Sequence, residues 1–253
     1  MKMHFLSGGR VRMRKATYIP DADRSEMIEL PVISALLRHA QGNVLFDTGC
    51  HSAVAEDPAS RWHGMEKFMT PIMPKGENVP TGLSAIGVKA DDIDIVICSH
   101  LHPDHCGCNA FFKRATVMVH AREVAAARAP DAVKMGFLES EWDVGLARDE
   151  LSGQRDVFGD GKIMLIELPG HMQGSIGALV GLERDGQFLL ASDTVSLRAT
   201  IDRNVAPRNT WNADALLKSW EEVRRIEAGG ATVICGHDDT QWQTLRKGAD
   251  AYE

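Results

Sequence analysis

The sequence predicts an α+β fold in which two β-sheets pack face to face and helices cover their outer sides. Many short apolar runs are bounded by Gly, Pro, Asp or Asn, which is typical of buried strands. Helical patterns stand between some runs at irregular spacing, unlike the regular strand and helix alternation of a doubly wound sheet. The chain has 253 residues, of which 44% are apolar and 25% are charged. We therefore expect a single domain over residues 1–253.

The clearest helix is predicted for residues 213–228, which carry an apolar stripe, with Asn212 as the N-cap and two glycines directly after the stripe. Shorter helices are expected at 81–88 and 121–128. Alternating basic and apolar residues at 10–15 predict the solvated face of an outer strand. The predicted strands cover residues 32–37, 44–46, 93–97, 117–119, 163–166, 188–190 and 232–234.

Charge and cysteine content narrow the class of partner. The formal net charge of −7 argues against a protein that binds nucleic acid by neutralising phosphates. We find no apolar run of transmembrane length and no apolar leader, so we expect no membrane partner. Five scattered cysteines favour a reducing cytoplasm over a disulfide framework, and Cys106 and Cys108 are interpreted as small buried thiols. We expect a cytoplasmic monomer or homodimer that acts on a small molecule.

A cluster of metal-binding residue types follows the predicted strand 93–97. His100, His102, Asp104 and His105 occupy four of six consecutive positions. Residues two apart in an extended segment face the same way, so His100 and His102 can hold one ion from one side. Pro103 then bends the chain, so that Asp104 and His105 can face a second ion. The alternative, a solvated histidine-rich loop, would not need to lie directly at a strand end.

Three further candidate ligands, His171, Asp193 and His237, each stand directly after a predicted strand. One such residue taken alone is more often a turn residue or a helix cap. The same context recurs three times, however, and strand ends that converge on one edge would bring these side chains to the cluster. The sequence therefore predicts a metal site that is assembled from several strand ends.

The chain carries an ordered set of short motifs: Leu45-Phe46-Asp47-Thr48-Gly49, His100-Leu101-His102-Pro103-Asp104-His105, Pro169-Gly170-His171, Ser192-Asp193 and Gly236-His237. This ordered set resembles the metallo-β-lactamase superfamily. The resemblance implies a four-layer αββα sandwich with a dinuclear metal site at one edge of the sheets.

The resemblance also implies a role for each motif residue. One ion would be held by His100, His102 and His171, and the other by Asp104, His105 and His237. Asp193 would bridge the two ions, and Asp47 would orient ligand histidines without binding metal. Imidazole and carboxylate ligands suit two divalent ions, with Zn²⁺ first and Fe, Mn or Co also possible in chemical terms.

Length and layout are most similar to the N-acyl-homoserine lactonase group, which implies quorum quenching by opening of a lactone ring. A metal-bound hydroxide would attack the carbonyl carbon, and Asp104 would pass a proton to the leaving oxygen. The group commonly carries a Tyr three residues after the bridging Asp, and Ser196 stands there in this chain as the candidate catalytic residue. The alternatives are hydrolysis of another ester, a thioester as in glyoxalase II, or a β-lactam, and a non-catalytic metal-binding protein.

Residues 51–75 are candidates for the wall of the substrate pocket. This stretch is rich in Met, is interrupted by Pro and carries Trp62, Met65, Phe68 and Met69. Such a stretch can form an adaptable lid over a hydrophobic ligand. It can equally pack on the sheet or at a dimer interface.

Overall fold

The computed structural model describes residues 1–74 and 76–253, and within them twelve strands form two sheets. The strands are β1 (Lys2–Arg14), β2 (Met27–His39), β3 (Gly42–Phe46), β4 (Thr70–Pro71), β5 (Ile95–Ile97), β6 (Thr116–His120), β7 (Arg148–Leu151), β8 (Arg155–Asp156), β9 (Ile163–Glu167), β10 (Ile176–Leu182), β11 (Gly186–Ser192) and β12 (Thr232–Cys235). The first sheet has the order β4-β1-β2-β3-β5-β6-β7, and the second has the order β12-β11-β10-β9-β8.

The helices in the described residues are α1 (Lys15–Tyr18), α2 (Pro58–Trp62), α3 (Val79–Ala85), α4 (Pro103–Cys106), α5 (Ala121–Ala127), α6 (Glu139–Trp142), α7 (Arg198–Arg203), α8 (Ala213–Ala228) and α9 (Asp239–Thr244). α8 has the predicted bounds, and the Asn212 side chain caps it by accepting a hydrogen bond from Ala215 N. α5 ends one residue before the prediction, whereas α3 begins two residues and ends three residues earlier than predicted. None of these helices combines the length and the apolar character that crossing a membrane requires.

Three apolar cores separate four layers. Along β3, Val44 and Phe46 belong to the core between the two sheets, whereas Leu45 belongs to the core on the outer face, as the two-residue period of a strand requires. On that outer face, Leu83 of α3 and Val124 of α5 complete the packing. On the far side of the molecule, the apolar stripe of α8 packs against β11 and β12. The predicted αββα sandwich is therefore confirmed.

The apolar runs predict seven of the twelve strands in the described residues and miss β1, β4, β7, β8 and β10. β10 lies inside the second sheet, between β9 and β11, but Gly177 and Gly181 interrupt its apolar sequence. β1 is 13 residues long, of which the alternating stretch 10–15 indicates only the last part. The prediction of an outer strand is wrong for this stretch, because the two-residue strand β4 pairs with β1 at Val11 and Arg12. The expected solvated face is present, since Arg12 and Arg14 are exposed.

Trp220 is the largest side chain of the core beneath α8, with 0% of its surface exposed, and its indole Nε1 donates to Thr194 O at 2.6 Å. We expect Trp220→Ala to lower the free energy of unfolding by about 3–5 kcal/mol, because it leaves a cavity. Urea denaturation followed by circular dichroism measures the change. Lys218→Ala, at an exposed position of the same helix, is the control and should stay within about 0.5 kcal/mol of the parent. A loss below about 1 kcal/mol for Trp220→Ala would contradict this packing.

Candidate metal centre

The carboxyl ends of five strands meet at one edge of the sandwich. β3 and β5 are parallel neighbours in the first sheet. In the second sheet β9, β11 and β12 share one direction, since β9 and β11 both pair antiparallel with β10 and β12 pairs parallel with β11. The loops after these strands carry all the candidate ligands and Asp47, and the structure brings the ligand atoms into groups that span less than 4.8 Å.

His100, His102 and His171 form the first cluster. His102 Nδ1 lies 3.0 Å from His100 Nε2 and 3.1 Å from His171 Nε2. Three nitrogens that bind one zinc ion at about 2.0–2.1 Å in tetrahedral geometry would lie roughly 3.3 Å apart. These three imidazoles can therefore hold one ion after small shifts.

Asp104, His105 and His237 form the second cluster. His105 Nε2 lies 3.3 Å from His237 Nε2 and 3.5 Å from Asp104 Oδ2. The third side of this triangle, from His237 Nε2 to Asp104 Oδ2, measures 3.6 Å. α4 begins at Pro103, and its first turn places Asp104 and His105 beside each other.

Asp193 lies between the two clusters. Its Oδ1 atom is 2.9 Å from His237 Nε2 and 3.5 Å from His105 Nε2, in the second cluster. Its Oδ2 atom is 3.5 Å from His171 Nε2, in the first cluster. One carboxylate thus faces both donor sets, which is the arrangement that a bridging ligand needs.

The donor set fits two cations. Asp193 Oδ1 is buried and, despite the close approach of His237 Nε2, makes no hydrogen bond to any described residue. In the first cluster, His102 Nδ1 faces both His100 Nε2 and His171 Nε2. One proton can serve only one such pair of nitrogens, so a lone pair in this cluster is left without a donor. Unsatisfied acceptors in a buried site are costly, and divalent ions would satisfy them.

The charge state differs between the two clusters. Burial lowers the pKa of His100 and His102 and lowers that of His171 to about 3, so these imidazoles are neutral and available as ligands. Burial opposes charge on His105 as well, but neighbouring carboxylates, Asp104 foremost, raise its pKa to about 10. The second cluster is therefore surrounded by excess negative charge, which favours a cation.

Asp47 stands behind the second cluster. Its Oδ2 atom lies 2.9 Å from His105 Nδ1 and accepts from Ser99 Oγ at 2.8 Å, while its Oδ1 accepts from Ser99 N at 2.8 Å. Ser192 Oγ also donates to Asp47 Oδ2, at 3.2 Å. Asp47 and Ser192 both have left-handed backbone, with φ of 55° and 46°, which is strained for residues other than Gly. The contact between Asp47 Oδ2 and His105 Nδ1 is the one by which a carboxylate orients a ligand histidine.

Backbone carbonyls orient two other candidate ligands. His237 Nδ1 lies 2.8 Å from Pro31 O, and His102 Nε2 lies 2.9 Å from Met135 O. Each contact engages the ring nitrogen that points away from the cluster. The nitrogen that faces the cluster is thereby left as the acceptor.

A cavity of about 820 Å³ opens onto the two clusters. Three candidate ligands contribute to its wall: His102, Asp104 and Asp193. All four candidate pocket residues also line it: Trp62, Met65, Phe68 and Met69. The cavity therefore joins the candidate metal centre to the Met-rich stretch.

The stretch 51–75 has a packed part and an exposed part, and its last residue, Lys75, lies outside the described residues. In α2, Trp62 is buried, and Arg61 Nε and Nη2 donate to the buried carboxylate of Glu141 at 2.7 and 3.0 Å. Phe68, by contrast, is 77% exposed. α2 is therefore packed against the rest of the domain, although Trp62 at its end also lines the cavity, and Met65, Phe68 and Met69 continue this pocket wall.

Ser196 does not belong to the described lining of this cavity. The turn that follows β11 directs Ser196 Oγ to Asp193 O, to which it donates at 3.3 Å, and the residue is buried. Its carbonyl accepts from His237 N at 2.9 Å. The geometry does not support the catalytic role expected for Ser196, because the hydroxyl is used inside the turn.

No cysteine belongs to the groups of candidate ligands in the described residues. All five are free and buried in the described residues. Burial raises the pKa of Cys98 and Cys108 to about 12, and it also raises that of Cys106. Protonated thiols are poor ligands, and the interpretation of Cys106 and Cys108 as small buried thiols is confirmed.

Tyr18 lies at the candidate site, although no motif of the sequence points to it. Its ring centroid lies 6.3 Å from that of His237, and the side chain lines the cavity. Burial and then the carboxylates of Asp193 and Asp104 raise its pKa, so the hydroxyl stays protonated. Tyr18 Oη donates to Met13 Sδ at 3.2 Å, which is a weak acceptor. The sequence gives no signal for Tyr18, because α1 is only four residues long and the contact with His237 joins residues that are far apart in the chain.

The loop 208–212 spans the cavity between Tyr18 and the first cluster. Arg208 N donates to the carbonyl of Thr17 at 2.7 Å, and Trp211 N donates to that of His171 at 2.9 Å. Between these fixed points, Asn209 and Thr210 line the cavity. Their side-chain oxygens are buried and have no hydrogen-bond partner among the described residues. This loop was not singled out from the sequence.

Curated relatives of similar length are N-acyl homoserine lactonases. The chain is 28% identical over 270 residues to the N-acyl homoserine lactonase AttM of Azorhizobium caulinodans, which covers 100% of this chain and 99% of the relative. It is 30% identical over 247 residues to the N-acyl homoserine lactonase AiiB of Agrobacterium fabrum, which covers 90% of this chain and 87% of the relative.

Solved structures show the same fold. An N-acyl homoserine lactone hydrolase with its product N-hexanoyl-L-homoserine at the catalytic metal centre superposes with a TM-score of 0.89 at 22% identity, over 99% of this chain and 98% of that chain. The dizinc quorum-quenching lactonase AidC superposes with a TM-score of 0.68 at 14% identity, over 94% and 87%.

The family model of the metallo-beta-lactamase superfamily matches residues 28–237. The matched range contains Asp47 and every candidate ligand from His100 to His237. The chain belongs to the metallo-beta-lactamase superfamily.

Proposed function

We propose that this protein is a dinuclear, zinc-dependent hydrolase that opens the lactone ring of N-acyl homoserine lactones. The observation that carries the proposal is the position of Asp193, whose two oxygens face two donor clusters at the wall of one cavity. The activity named for the relatives AttM and AiiB supports the choice of substrate. Nitrogen and oxygen donors in this number favour zinc among the divalent metals.

The residues of the site have separate roles in this reaction. Two zinc ions in the clusters would polarise the ester carbonyl and activate a water molecule. We propose that Asp104 passes a proton to the oxygen that leaves the ring, which its membership of the second cluster and its position in the cavity wall support. Asp47 keeps the His105 ring oriented. Asp193 holds the two clusters at a fixed separation.

The cavity suits a substrate with an apolar tail and an amide. Phe68, Val133 and Trp211 are exposed apolar side chains that line it, and such side chains around a cavity are typical of a hydrophobic ligand. Asn209 and Thr210 also line the cavity. Their side-chain oxygens are unpaired among the described residues, and we propose that they accept the N–H of the substrate amide after a small rotation of each side chain.

We further propose that the protein is a single domain over residues 1–253 and acts in the cytoplasm as a monomer or homodimer. We propose no nucleic-acid partner and no membrane partner. The net charge of −7 supports the exclusion of nucleic acid. The five buried thiols support a reducing compartment.

Ring opening is the direct test. We expect purified protein with about two zinc ions per chain to add one water to short and long N-acyl homoserine lactones, as measured by mass spectrometry. The panel also holds plain γ- and δ-lactones, a thioester and a β-lactam. Protein stripped by a chelator is the control, and zinc should restore its activity. Two bound metals without lactone turnover, or turnover of the thioester or β-lactam alone, would reject the proposal.

The two clusters predict different metal losses. We expect Asp193→Ala to weaken both zinc sites, because its carboxylate faces both, and His171→Ala to weaken one. Turnover should fall at least about 100-fold in each variant. Elemental analysis after dialysis measures zinc per chain. His4→Ala removes a buried histidine outside the clusters and should keep both ions. An Asp193→Ala protein that retains two zinc ions contradicts the bridging role.

Tyr18 is expected to donate its hydroxyl to a substrate oxygen in place of the weak Met13 acceptor. Tyr18→Phe should lower kcat/KM for the lactone about 3- to 10-fold, which corresponds to one net hydrogen bond. Zinc content should not change. Tyr252→Phe is the matched control, because that hydroxyl accepts from Arg246 N and does not line the cavity. Parent-like kinetics of Tyr18→Phe would speak against this role.

A further inference from the structure

Glu123 lies in the first turn of α5, with 0% of its surface exposed. Its carboxylate accepts two backbone hydrogen bonds, one at Oε1 from Leu101 N at 3.1 Å and one at Oε2 from Gly174 N at 2.9 Å. Burial raises the pKa of Glu123 to about 7, while the two hydrogen bonds from backbone N–H groups act in the opposite direction and lower it. Burial of a carboxylate is costly, and the two hydrogen bonds that its oxygens accept offset part of this cost.

The two amides belong to the two loops that carry the first cluster. Leu101 stands between His100 and His102, in the loop after β5 of the first sheet. Gly174 lies three residues after His171, in the loop between β9 and β10 of the second sheet. One side chain therefore ties together ligand loops from opposite sheets.

The His171 loop rests directly on α5. A Cβ atom at Gly174 would lie 2.4 Å from Glu123 N and 2.5 Å from Glu123 Cβ, so no side chain fits between loop and helix. The loop is closed on itself, since Met172 N donates to Ser175 Oγ at 3.0 Å. A shift of Gly174 away from α5 would therefore move His171 as well.

We propose that Glu123 is a positioning residue, which sets the distance between His171 and the His100–His102 pair and thereby the zinc affinity of the first cluster. The inference rests on the proposed function in one respect, namely that this cluster holds a divalent ion. Both carboxylate oxygens are needed. An amide would turn its NH₂ group toward one of the two backbone N–H groups and leave that buried donor unpaired.

Zinc competition against a chromophoric chelator tests the inference without a turnover assay. Parent protein should bind two zinc ions. In Glu123→Gln one of the two affinities should fall about tenfold or more, and His171→Ala should weaken the same one. Glu141→Gln is the matched control, because Glu141 is equally buried but its carboxylate accepts hydrogen bonds from the Arg61 side chain rather than from the backbone of a ligand loop, and both affinities should stay at the parent values.

A folded Glu123→Gln protein with both parent affinities overturns the inference, and so does an equal loss at both zinc sites, which would indicate a general structural role. If Glu123→Gln does not fold, Gly174→Ala takes its place, because the added methyl displaces the loop and leaves the carboxylate intact. Unchanged zinc affinities in that variant also overturn the inference. Parent protein that binds two zinc ions but opens no lactone rejects the proposed function alone.

Discussion

The buried carboxylate of Asp47 is the interaction on which the site depends. It accepts hydrogen bonds from Ser99 and Ser192 and faces the ring of His105. Asp47 directly follows β3, Ser99 lies two residues after β5, and Ser192 is the last residue of β11, so one side chain connects the carboxyl ends of strands from both sheets. A buried anion without partners is strongly unfavourable. The same contacts therefore hold Asp47 and Ser192 in left-handed backbone and fix the turns from which the candidate ligands extend.

Much of this arrangement could be predicted from the sequence, because its signals are local. α8 has a cap, an apolar stripe and a terminating glycine, and the donors after β5 stand within six residues. Spacing alone could not predict the role of Ser196, since the turn after Asp193 directs the hydroxyl to a backbone carbonyl rather than to the cavity. Local signals could not predict the role of Tyr18, because only the packing of α1 brings it beside His237. Glycines inside β10 likewise conceal a central strand.

The cavity is built by both halves of the sandwich. Residues 62–69 and 133–138, from loops of the first sheet, contribute most of its apolar wall, and residues 208–211, which precede α8, contribute polar atoms. Hydrogen bonds fix the latter loop to Thr17 at one end and to His171 at the other. Burial of Trp62 and the Arg61–Glu141 pair hold α2 in place. Rigid contacts therefore surround the candidate ligands, and exposed apolar side chains stand at the opening.

The order of the donors along the chain has a consequence for biosynthesis. His100 to His105 are translated together, but His171, Asp193 and His237 emerge later, and the last of them follows β12, the edge strand of the second sheet. A nascent chain would already carry all three donors of the first cluster, but the second cluster would lack His237 until that strand docks, so tight metal capture by the second cluster must come late. Since a cation that binds only the docked state stabilises it by mass action, metal supply would set how long the finished protein persists in the cell.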